Sequence, residues 1–260
     1  MRDWNEIRAW RKAQRAELIA RREASDRAAR QSWNERITAR LLDGFAVPRG
    51  AVIGYCWPFK DEFDARFAIR RWRELGAIAA LPEVTGKAQP LQFRKWWPGA
   101  PMTPGVYDIP VPDGTEVLAP DVALVPMNGF DEQCYRLGYG GGYFDRTLMA
   151  CNRRLLAIGV AYEMLRLPTI YPQAHDIPMD FVVTEAAVYA SDSGKLTALT
   201  AAQSRERAAR IMQTRCLPRA TALPEVQGQF SSPPCYAGEF PGYFGENSVG
   251  ENTSDGGGRD

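Results

Sequence analysis

The sequence predicts an α/β fold in which a mostly parallel sheet lies between two layers of helices. The first observation is an apolar, β-branched run at residues 122–125, which is short, bounded by turn-forming residues and typical of a buried strand. The second is an alternation of strand-like and helical segments between residues 51 and 81. The third is a helical pattern near the N-terminus. Together they predict one α/β domain with a helical N-terminus.

The composition is that of an ordinary soluble chain. Of its 260 residues 45% are hydrophobic and 24% are charged, and a net charge of +1 gives no overall attraction to nucleic acid or to a membrane. No apolar run reaches membrane-spanning length, and the N-terminus is too charged for a secretory signal, so we expect a cytoplasmic monomer. The five cysteines lack metal-binding spacing and are expected to be free thiols.

Residues 2–23 have the spacing of an amphipathic helix that is rich in arginine. Ile7, Trp10 and Leu18 form its apolar stripe. Without further information a solvated charged face is the simplest interpretation of the basic side chains beside that stripe. These side chains are Arg8, Arg11, Lys12, Arg15 and Arg22.

A second helix is predicted from about Ser25, a suitable N-cap, to residue 42. Trp33, Ile37 and Leu41 are spaced to lie on its buried face, and Gly44 is a natural terminator. A strand, a helix and a further strand are then predicted at residues 51–56, 64–75 and 77–81. This order implies a parallel sheet.

Ligands of open parallel sheets bind at the carboxyl ends of the strands. Trp57 and Glu62 follow the first predicted strand and therefore belong to the candidate site, although a carboxylate there can also be a simple helix N-terminal charge. Residues 91–93 form a possible strand. Tyr107 lies in a Pro-rich loop, where it either stacks on a flat ring or serves as a local packing anchor.

The most distinctive stretch is the loop after the strand at residues 122–125. It contains Arg136 and then the glycine-rich run RLGYGGGYFDR. Backbone N–H groups of consecutive glycines can converge on an anion, and a helix that begins near Tyr143 adds its positive dipole end. The endings of the P-loop and of the dinucleotide fingerprint are both absent. We therefore predict a phosphate-binding loop, with a ligand-free turn as the alternative.

The final part of the predicted domain adds two candidate metal ligands. A helix is expected at residues 144–150 and a strand at residues 155–160. Asp145 and Asp176 offer the hard oxygen atoms that Mg²⁺ prefers, and Asp180 is a second candidate beside Asp176. His175, the single histidine, is expected to have a structural role.

We expect the α/β domain to cover residues 1–190. Residues 191–215 are expected to form an additional amphipathic helix that starts near Ser193. Residues 216–260 are rich in Pro, Gly and polar residues, a composition that predicts a disordered tail. Aromatic residues in this tail also make it a candidate partner-binding segment.

The run RLGYGGGYFDR, preceded by VPMNGFD, closely resembles the signature of the 5-formyltetrahydrofolate cyclo-ligase family, also called methenyltetrahydrofolate synthetases. The segment HDIPMDFVVTE resembles the last conserved block of that family. The resemblance implies a Rossmann-like fold of the type shared by cyclo-ligases, isomerases and CoA transferases. It also implies ATP- and Mg²⁺-dependent conversion of 5-formyltetrahydrofolate into 5,10-methenyltetrahydrofolate.

The resemblance also implies roles for individual residues. No side-chain nucleophile is expected, and Arg136 stabilises charge in the transition state. The family carries a Lys four residues before an Arg on its N-terminal helix; Arg15 matches the Arg, Arg11 stands at the Lys position, and Lys12 is one residue away. Mg²⁺ is assigned to Asp145 and Asp176, and the folate to Trp57, Glu62, Tyr107, Tyr143 and Phe144. The ATP-binding residues are Arg11, Lys12, Arg15, Arg136, Gly138, Tyr139, Gly140, Gly141, Gly142, Tyr143 and Asp145.

Two residues depart from the family pattern. Cys134 stands where the family usually has Gly, which alters the loop if that position requires a positive φ. Phe144 replaces the commoner second Tyr and loses a hydroxyl group. Neither change removes a charge, so we expect activity to be retained.

Two alternatives belong to other functional classes. One is an isomerase or CoA transferase of similar architecture, which gives no reason for a basic N-terminal helix. The other is a non-catalytic protein that binds reduced folate or a nucleotide. Turnover of ATP with the folate would separate the enzyme from this second alternative.

Overall fold

The computed structural model describes residues 3–151 and 155–215. The tail predicted at residues 216–260 lies outside the described residues. None of the helices in the described ranges is both long and apolar enough to cross a membrane. These helices are α1 (Trp4–Glu23), α2 (Arg27–Gly44), α3 (Arg66–Glu74), α4 (Tyr143–Ala150) and α5 (Ala201–Arg215).

The strands form one large mixed sheet and two small hairpins. They are β1 (Val52–Gly54), β2 (Ile78–Val84), β3 (Leu91–Trp96), β4 (Met102–Pro104), β5 (Pro110–Pro112), β6 (Val122–Pro126), β7 (Gly129–Phe130), β8 (Arg136–Leu137), β9 (Leu156–Val160), β10 (Phe181–Val183), β11 (Val188–Asp192) and β12 (Lys195–Leu199).

The large sheet has eight strands in the order β12-β11-β10-β9-β6-β1-β2-β3. Strands β10, β9, β6, β1 and β2 run parallel, whereas β3 at one edge and the β11–β12 hairpin at the other add antiparallel pairs. The predicted mostly parallel sheet is therefore confirmed. Central strands covered on both faces need continuous apolar runs, and all five residues of β9 are buried.

Helices cover the sheet with faces set by their apolar spacing. Strand β1 leads to β2 through α3, whose Ala68, Ile69 and Trp72 are buried. Helix α2 packs against α3 and α5 and buries Ile37 and Leu41, as its spacing predicted. The strands at residues 51–56 and 77–81 and the helix at residues 64–75 are confirmed, with bounds that shift by a few residues.

The start of α2 differs from the prediction. Asp26, not Ser25, is its N-cap, and the Asp26 carboxylate accepts a hydrogen bond from the backbone N–H of Ala29. The Ser25 hydroxyl instead donates to the carbonyl of Arg22 at the end of α1 (2.5 Å). Because the Ser25 hydroxyl is bonded to the end of α1, the next residue, Asp26, is the one that caps α2.

The helix predicted to start near Ser193 is wrong over its first residues. Strands β11 and β12 pair antiparallel there, and Ser193 and Gly194 form the turn between them with φ of 50° and 79°. Two successive positive φ angles suit a tight hairpin whose twist matches its strands. The helix α5 begins only at Ala201, and the boundary expected after residue 190 falls inside β11. The possible strand at residues 91–93 is confirmed and extends to Trp96.

The parallel pairing of β1 with β6 decides where the site lies. Ile53 pairs with Val122 and Gly54 with Ala123, so both strands end at the same edge of the sheet. Beyond β1 the chain enters the segment that contains Trp57 and Glu62. Beyond β6 it enters the small β7–β8 hairpin and then the glycine-rich loop.

Candidate active site

A cavity of about 250 Å³ lies at this edge of the sheet. It is lined by α1, the segment after β1, the glycine-rich loop, the start of α4 and the loop before β10. Most of the side chains assigned from sequence therefore meet in one place. They include Arg11, Arg15, Trp57, Glu62, Arg136, Tyr139, Tyr143, Phe144, Asp145 and Asp176.

One face of α1 forms a wall of the cavity. Trp4, Arg8, Arg11 and Arg15 recur at helical spacing and all line it. Lys12 is exposed and does not belong to the lining that the described residues form. Of these two candidate cations, Arg11 is the one that lines the cavity. Trp4 and Arg8 were not assigned from sequence, although Arg8 had been placed on the basic face.

Arg15 connects α1 to the glycine-rich loop. It is buried, and its Nε donates to the carbonyl of Gly138 (2.6 Å). Gly140 has φ of 96°, and a Cβ atom on it would lie 3.3 Å from Arg15 Nη2. Glycine at this position therefore permits both the backbone conformation and the close approach of the guanidinium group.

The loop ends by starting a helix, as predicted. Gly142 has φ of 62° and is the N-cap of α4, so that helix begins directly after the loop, at residues that line the cavity. The buried Arg146 of α4 donates to the carbonyl of Gly141. Its guanidinium also lies 5.3 Å from the centre of the Tyr143 ring. The sequence analysis gave Arg146 no role. Its contact with the loop depends on where the side chain points from the first turn of α4.

Arg136 and Asp145 form an ion pair beside the loop. Arg136 Nη2 lies 2.6 Å from Asp145 Oδ2, and the other oxygen of Asp145 accepts from the backbone N–H of Ile177 (3.1 Å). The guanidinium of Arg136 is also 5.8 Å from the centre of the Phe144 ring. Phe144 thus keeps an aromatic surface beneath the charge without a hydroxyl group.

Asp176 forms a second ion pair, with Arg11. Arg11 Nη2 lies 2.5 Å from Asp176 Oδ2, and the same guanidinium donates to the carbonyls of Ile170 and Tyr171. His175 packs edge-on against Trp4, with ring centres 6.0 Å apart. Its Nε2 is 3.9 Å from Asp176 Oδ1, and it lines the cavity as well.

The two proposed metal ligands therefore both lie at the cavity, but each already accepts hydrogen bonds from an arginine. Within the described residues no group of three or more His, Cys, Asp or Glu side chains could hold a metal ion. Asp180, the second candidate, lies elsewhere. Its carboxylate accepts from Arg215 and from the backbone N–H of Ala157, so it anchors α5 to β9.

Glu62 is buried where the segment after β1 meets the glycine-rich loop. Its Oε1 accepts from the hydroxyl of Tyr139 (2.8 Å), its Oε2 accepts from the N–H of Phe59 (3.2 Å), and Arg22 Nη2 lies 3.9 Å away. Burial raises the pKa of Glu62, while Arg22 and the two hydrogen bonds oppose that rise. Tyr139, predicted to bind ATP through the loop, thus also contacts the carboxylate predicted to bind the folate.

Aromatic residues complete the wall near Glu62. Trp57 lies edge-on to Trp96, with ring centres 5.4 Å apart, and Arg66 lies 5.5 Å from the Trp57 ring. Trp57 Nε1 is buried and has no hydrogen-bond partner among the described residues. Tyr107 belongs to a short 3₁₀ helix at Val106–Asp108, but its side chain lies outside the described residues.

Arg22 is the main residue that sequence reasoning missed. It had been placed on the basic face of α1, yet its side chain is only 1% exposed. It donates to the carbonyl of Lys60, to Asn128 Oδ1 and to the Tyr139 hydroxyl. Nothing in the local pattern separates it from Arg21, its exposed neighbour.

Comparison with known proteins agrees with this architecture. A sequence model of the 5-formyltetrahydrofolate cyclo-ligase family matches residues 7–185. The 5-formyltetrahydrofolate cyclo-ligase of Mycolicibacterium smegmatis is 29% identical over 178 residues, which cover 65% of this chain and 91% of that protein. The protein of that name from Escherichia coli K12 is 27% identical over 176 residues, covering 65% and 97%.

Two solved structures have a similar fold. A 5,10-methenyltetrahydrofolate synthetase from Aquifex aeolicus matches with a TM-score of 0.56 and 28% identity, covering 68% of this chain and 91% of that one. One from Mycoplasma pneumoniae matches with a TM-score of 0.55 and 23% identity, covering 67% and 98%. Because the family match spans residues 7–185 of 260, from α1 to the end of the cavity-lining segments, the chain belongs to the 5-formyltetrahydrofolate cyclo-ligase family.

Proposed function

We propose that this protein catalyses the ATP- and Mg²⁺-dependent conversion of 5-formyltetrahydrofolate into 5,10-methenyltetrahydrofolate. The observation that carries the proposal is that one cavity joins an arginine-lined helix and a glycine-rich loop to a buried carboxylate flanked by aromatic rings. The first half suits phosphate groups and the second half suits a flat ring with N–H donors. The family match and the names of the relatives support the same reaction.

In the proposed reaction the formyl oxygen takes the γ-phosphoryl group of ATP and ADP leaves. N10 of the folate then attacks the activated formyl carbon and loses its proton. Phosphate departs with the former formyl oxygen as the five-membered ring closes. Such a phosphoryl transfer is catalysed chiefly by positioning and by neutralising charge on the transferred group, so it needs no protein nucleophile.

The cationic residues supply that neutralisation. Arg136 and Arg15 are both buried and fixed by hydrogen bonds, so their charge is already oriented before the nucleotide binds. Arg11 holds its position through carbonyl contacts and through Asp176. We assign Arg136 to the transferred phosphoryl group, and Arg11 and Arg15 to the other phosphates. The backbone from Gly138 to Gly142 completes the cradle.

Asp145 and Asp176 match the number of carboxylates that a magnesium ion usually takes from a protein. Mg²⁺ is typically held by one or two carboxylates together with substrate phosphates and water, and not by a complete protein cage. Asp145 and Asp176 both line the cavity and retain lone pairs beyond those used in their arginine contacts. When bound, the ion would offset charge on the phosphates. Asp145 and Asp176 would hold it while Arg136 and Arg11 keep them in place.

Beside the loop, Glu62 accepts hydrogen bonds from the N–H groups of the reduced pterin. A carboxylate is the natural partner for two adjacent donors. Tyr143, Phe144 and Trp57 line the same cavity and are assigned to the folate ring as flat aromatic surfaces. Tyr107 is assigned to the folate through the family resemblance alone.

The test is a direct assay of the full chain. Purified protein is mixed with 5-formyltetrahydrofolate and MgATP, and the near-ultraviolet absorbance of the methenyl product is followed. We expect a signal that requires both substrates and that falls by roughly 100-fold or more in Asp145→Ala. Arg71→Met, which changes an exposed charge on α3, is the matched control.

Absence of product from well-folded protein would contradict the proposal. If reduced folate bound tightly under those conditions without turnover, the non-catalytic binding protein would be the better assignment. If Arg11→Met and Arg15→Met left the activity unchanged, the phosphate side of the cavity would be assigned wrongly.

A further inference from the structure

Arg22 occupies an unusual place for a charged residue. It projects from α1 into the interior, and its three donor groups reach three different parts of the chain. Nε donates to the Lys60 carbonyl (2.8 Å), Nη1 to Asn128 Oδ1 (2.9 Å) and Nη2 to the Tyr139 hydroxyl (3.0 Å). It thus joins the segment after β1, the segment after β6 and the glycine-rich loop. Burial of a charge is costly unless it is paired in this way, which indicates a specific role.

The chemistry of arginine fixes the direction of these hydrogen bonds. A guanidinium group has only donors, so the oxygen of Tyr139 must accept from Arg22. The hydroxyl proton of Tyr139 is then available only as a donor, and Glu62 Oε1 lies 2.8 Å away to receive it. The chain of bonds therefore runs from Arg22 through Tyr139 to Glu62. A protonated Glu62 could not accept this bond as well as a carboxylate does, because the bond is stronger to the charged form.

Few titratable groups surround the Glu62 carboxylate within the described residues. Arg22, from α1, and Tyr139, from the loop, face Glu62 directly, and Cys56 interacts with it electrostatically from the segment after β1. The Cys56 thiol stays protonated because burial, and then Glu62, raise its pKa. Burial also raises the pKa of Tyr139, so the phenol keeps its proton. Arg22 is therefore the cation that most opposes the rise in the Glu62 pKa.

We propose that Arg22 is a positioning residue that, through Tyr139, favours the ionised form of Glu62 and fixes its place at the cavity, and so couples the glycine-rich loop to the folate carboxylate. The proposal rests on the proposed function, since it assumes that Glu62 receives the pterin. Tyr139 lies between Gly138 and Gly140, so any change in the loop on nucleotide binding reaches Glu62 through one hydrogen bond. The order of the loop and the ionisation of Glu62 are thus linked.

The first experiment needs no substrate. The pKa of Glu62 is measured in the full chain by carbon-13 NMR of labelled glutamate carboxyl groups, with Glu62→Gln used to assign the signal. We expect the pKa to rise in Arg22→Met and, by less, in Tyr139→Phe, which keeps the ring and removes only the relay. Arg21→Met is the matched control, because Arg21 is an exposed neighbour that pairs with Glu17, and it should leave the pKa unchanged.

Kinetics then test the link to the reaction. We expect KM for 5-formyltetrahydrofolate at pH 7 to increase on the order of tenfold in Arg22→Met, with a smaller change in kcat, and the acidic limb of kcat/KM to move to higher pH. Arg22→Lys keeps the charge but not the fork of donors, and should lie between the wild type and Arg22→Met.

An unchanged Glu62 pKa in both Tyr139→Phe and a folded Arg22 variant would overturn the proposal. Tyr139→Phe keeps the test decisive if Arg22→Met fails to fold. A shifted pKa in a protein without cyclo-ligase activity would leave the positioning role standing and contradict the proposed function alone.

Discussion

Cys134 shows how one side chain can be accommodated in a conformation that favours glycine. Its φ is 64°, and it lies buried in the turn after β7, where its N–H donates to the carbonyl of Asp131 and its carbonyl accepts from the N–H of Met179. The left-handed region costs a residue with a Cβ atom about 1–2 kcal/mol. Asp131 supports the turn by accepting from the N–H groups of Gln133 and Tyr135. The departure from glycine thus keeps the turn that places Arg136.

The positive φ of Cys134 predicts that a glycine variant is more stable than an alanine variant, which reverses the usual order. Within a helix or strand, a glycine normally makes the protein less stable than an alanine does, by about 0.5–1 kcal/mol. At Cys134 we expect Cys134→Gly to exceed Cys134→Ala by about 1 kcal/mol in free energy of unfolding, since both lose the thiol but only glycine relieves the backbone. Urea denaturation of the two variants measures the difference. The ordinary order, with alanine more stable, would mean that the turn is not strained.

The buried carboxylate of Glu62, a proposed binding group, is expected to lower the stability of the protein at neutral pH. Burial is the main cause that raises its pKa, with Arg22 opposing, so the folded state holds the proton more tightly than the unfolded state. For such a group the free energy of unfolding falls as the pH rises past the ordinary value of about 4.3. We therefore expect Glu62→Gln to be more stable than the wild type at pH 7, with little difference near pH 4.

Glu74 supplies the matched control for that measurement. It is exposed, and its hydrogen bonds with Arg70 and Arg71 lower its pKa, so Glu74→Gln should change stability in the opposite direction, if at all. Urea denaturation at both pH values compares the pair. Equal stability of Glu62→Gln and the wild type at pH 7 would show that the carboxylate is fully compensated by its partners.

At the scale of elements, the sequence predicted the helices and central strands well because each bears its own signal. The face of α2 and the apolar run of β6 follow from periodicity alone. The β11–β12 hairpin was missed because its signal is a short Ser-Gly turn beside the strong helical pattern of α5. The roles of Arg22 and Arg146 were missed for another reason. The partners of Arg22 lie on other elements, and Arg146 donates back to the loop before its own helix, so no periodic pattern separates either residue from solvated arginines.

The close approach of the Phe93 ring of β3 to Gly54 of β1 makes a further prediction. A Cβ atom on Gly54 would lie 2.6 Å from the Phe93 ring, which is buried. We expect Gly54→Ala to lower the free energy of unfolding by about 1–3 kcal/mol through overpacking. Because Phe93→Leu removes the obstructing atoms, the double variant should lose less than the sum of the two single losses. Additive losses would show that the two residues do not compete for this space.

A matched control and a functional readout accompany this cycle. Gly86→Ala places its Cβ atom no closer than 3.4 Å to another residue and should change stability little. Strand β1 leads into the segment with Trp57 and Glu62. A shift of β1 in Gly54→Ala should therefore raise KM for the folate more than KM for ATP.

At the scale of the whole molecule, the cavity is assembled from segments that are far apart in sequence. Arg11 and Arg15 come from the first helix, Glu62 follows β1, Arg136 follows β7, and Asp176 precedes β10. Their meeting at one edge is a consequence of the parallel order of the sheet, which the sequence allowed to be predicted. The individual pairings, such as Arg11 with Asp176, could not be predicted, because ion pairs depend on side-chain directions that only the packed fold sets.

This assembly predicts that ligands stabilise the whole domain. A ligand at 100 times its Kd adds about 2.7 kcal/mol to the free energy of unfolding, and about 1 kcal/mol shifts the Tm of a domain of this size by roughly 2–4 °C. We therefore expect saturating MgATP to raise the Tm by about 5–10 °C, as measured by scanning calorimetry. Arg136→Met should lose most of that shift, because it removes a buried cation from the phosphate side.

The Tm shift caused by the folate serves as the control that separates loss of a binding group from general destabilisation of the domain. Glu62 belongs to the segment after β1 and not to the phosphate-side arginines, so 5-formyltetrahydrofolate alone should still raise the Tm of Arg136→Met, whereas Glu62→Gln should lose the folate shift and retain more of the MgATP shift. Shifts are compared rather than Tm values, because Arg136→Met also leaves Asp145 without its ion pair. Equal MgATP shifts in the wild type and Arg136→Met would place the nucleotide outside this cavity.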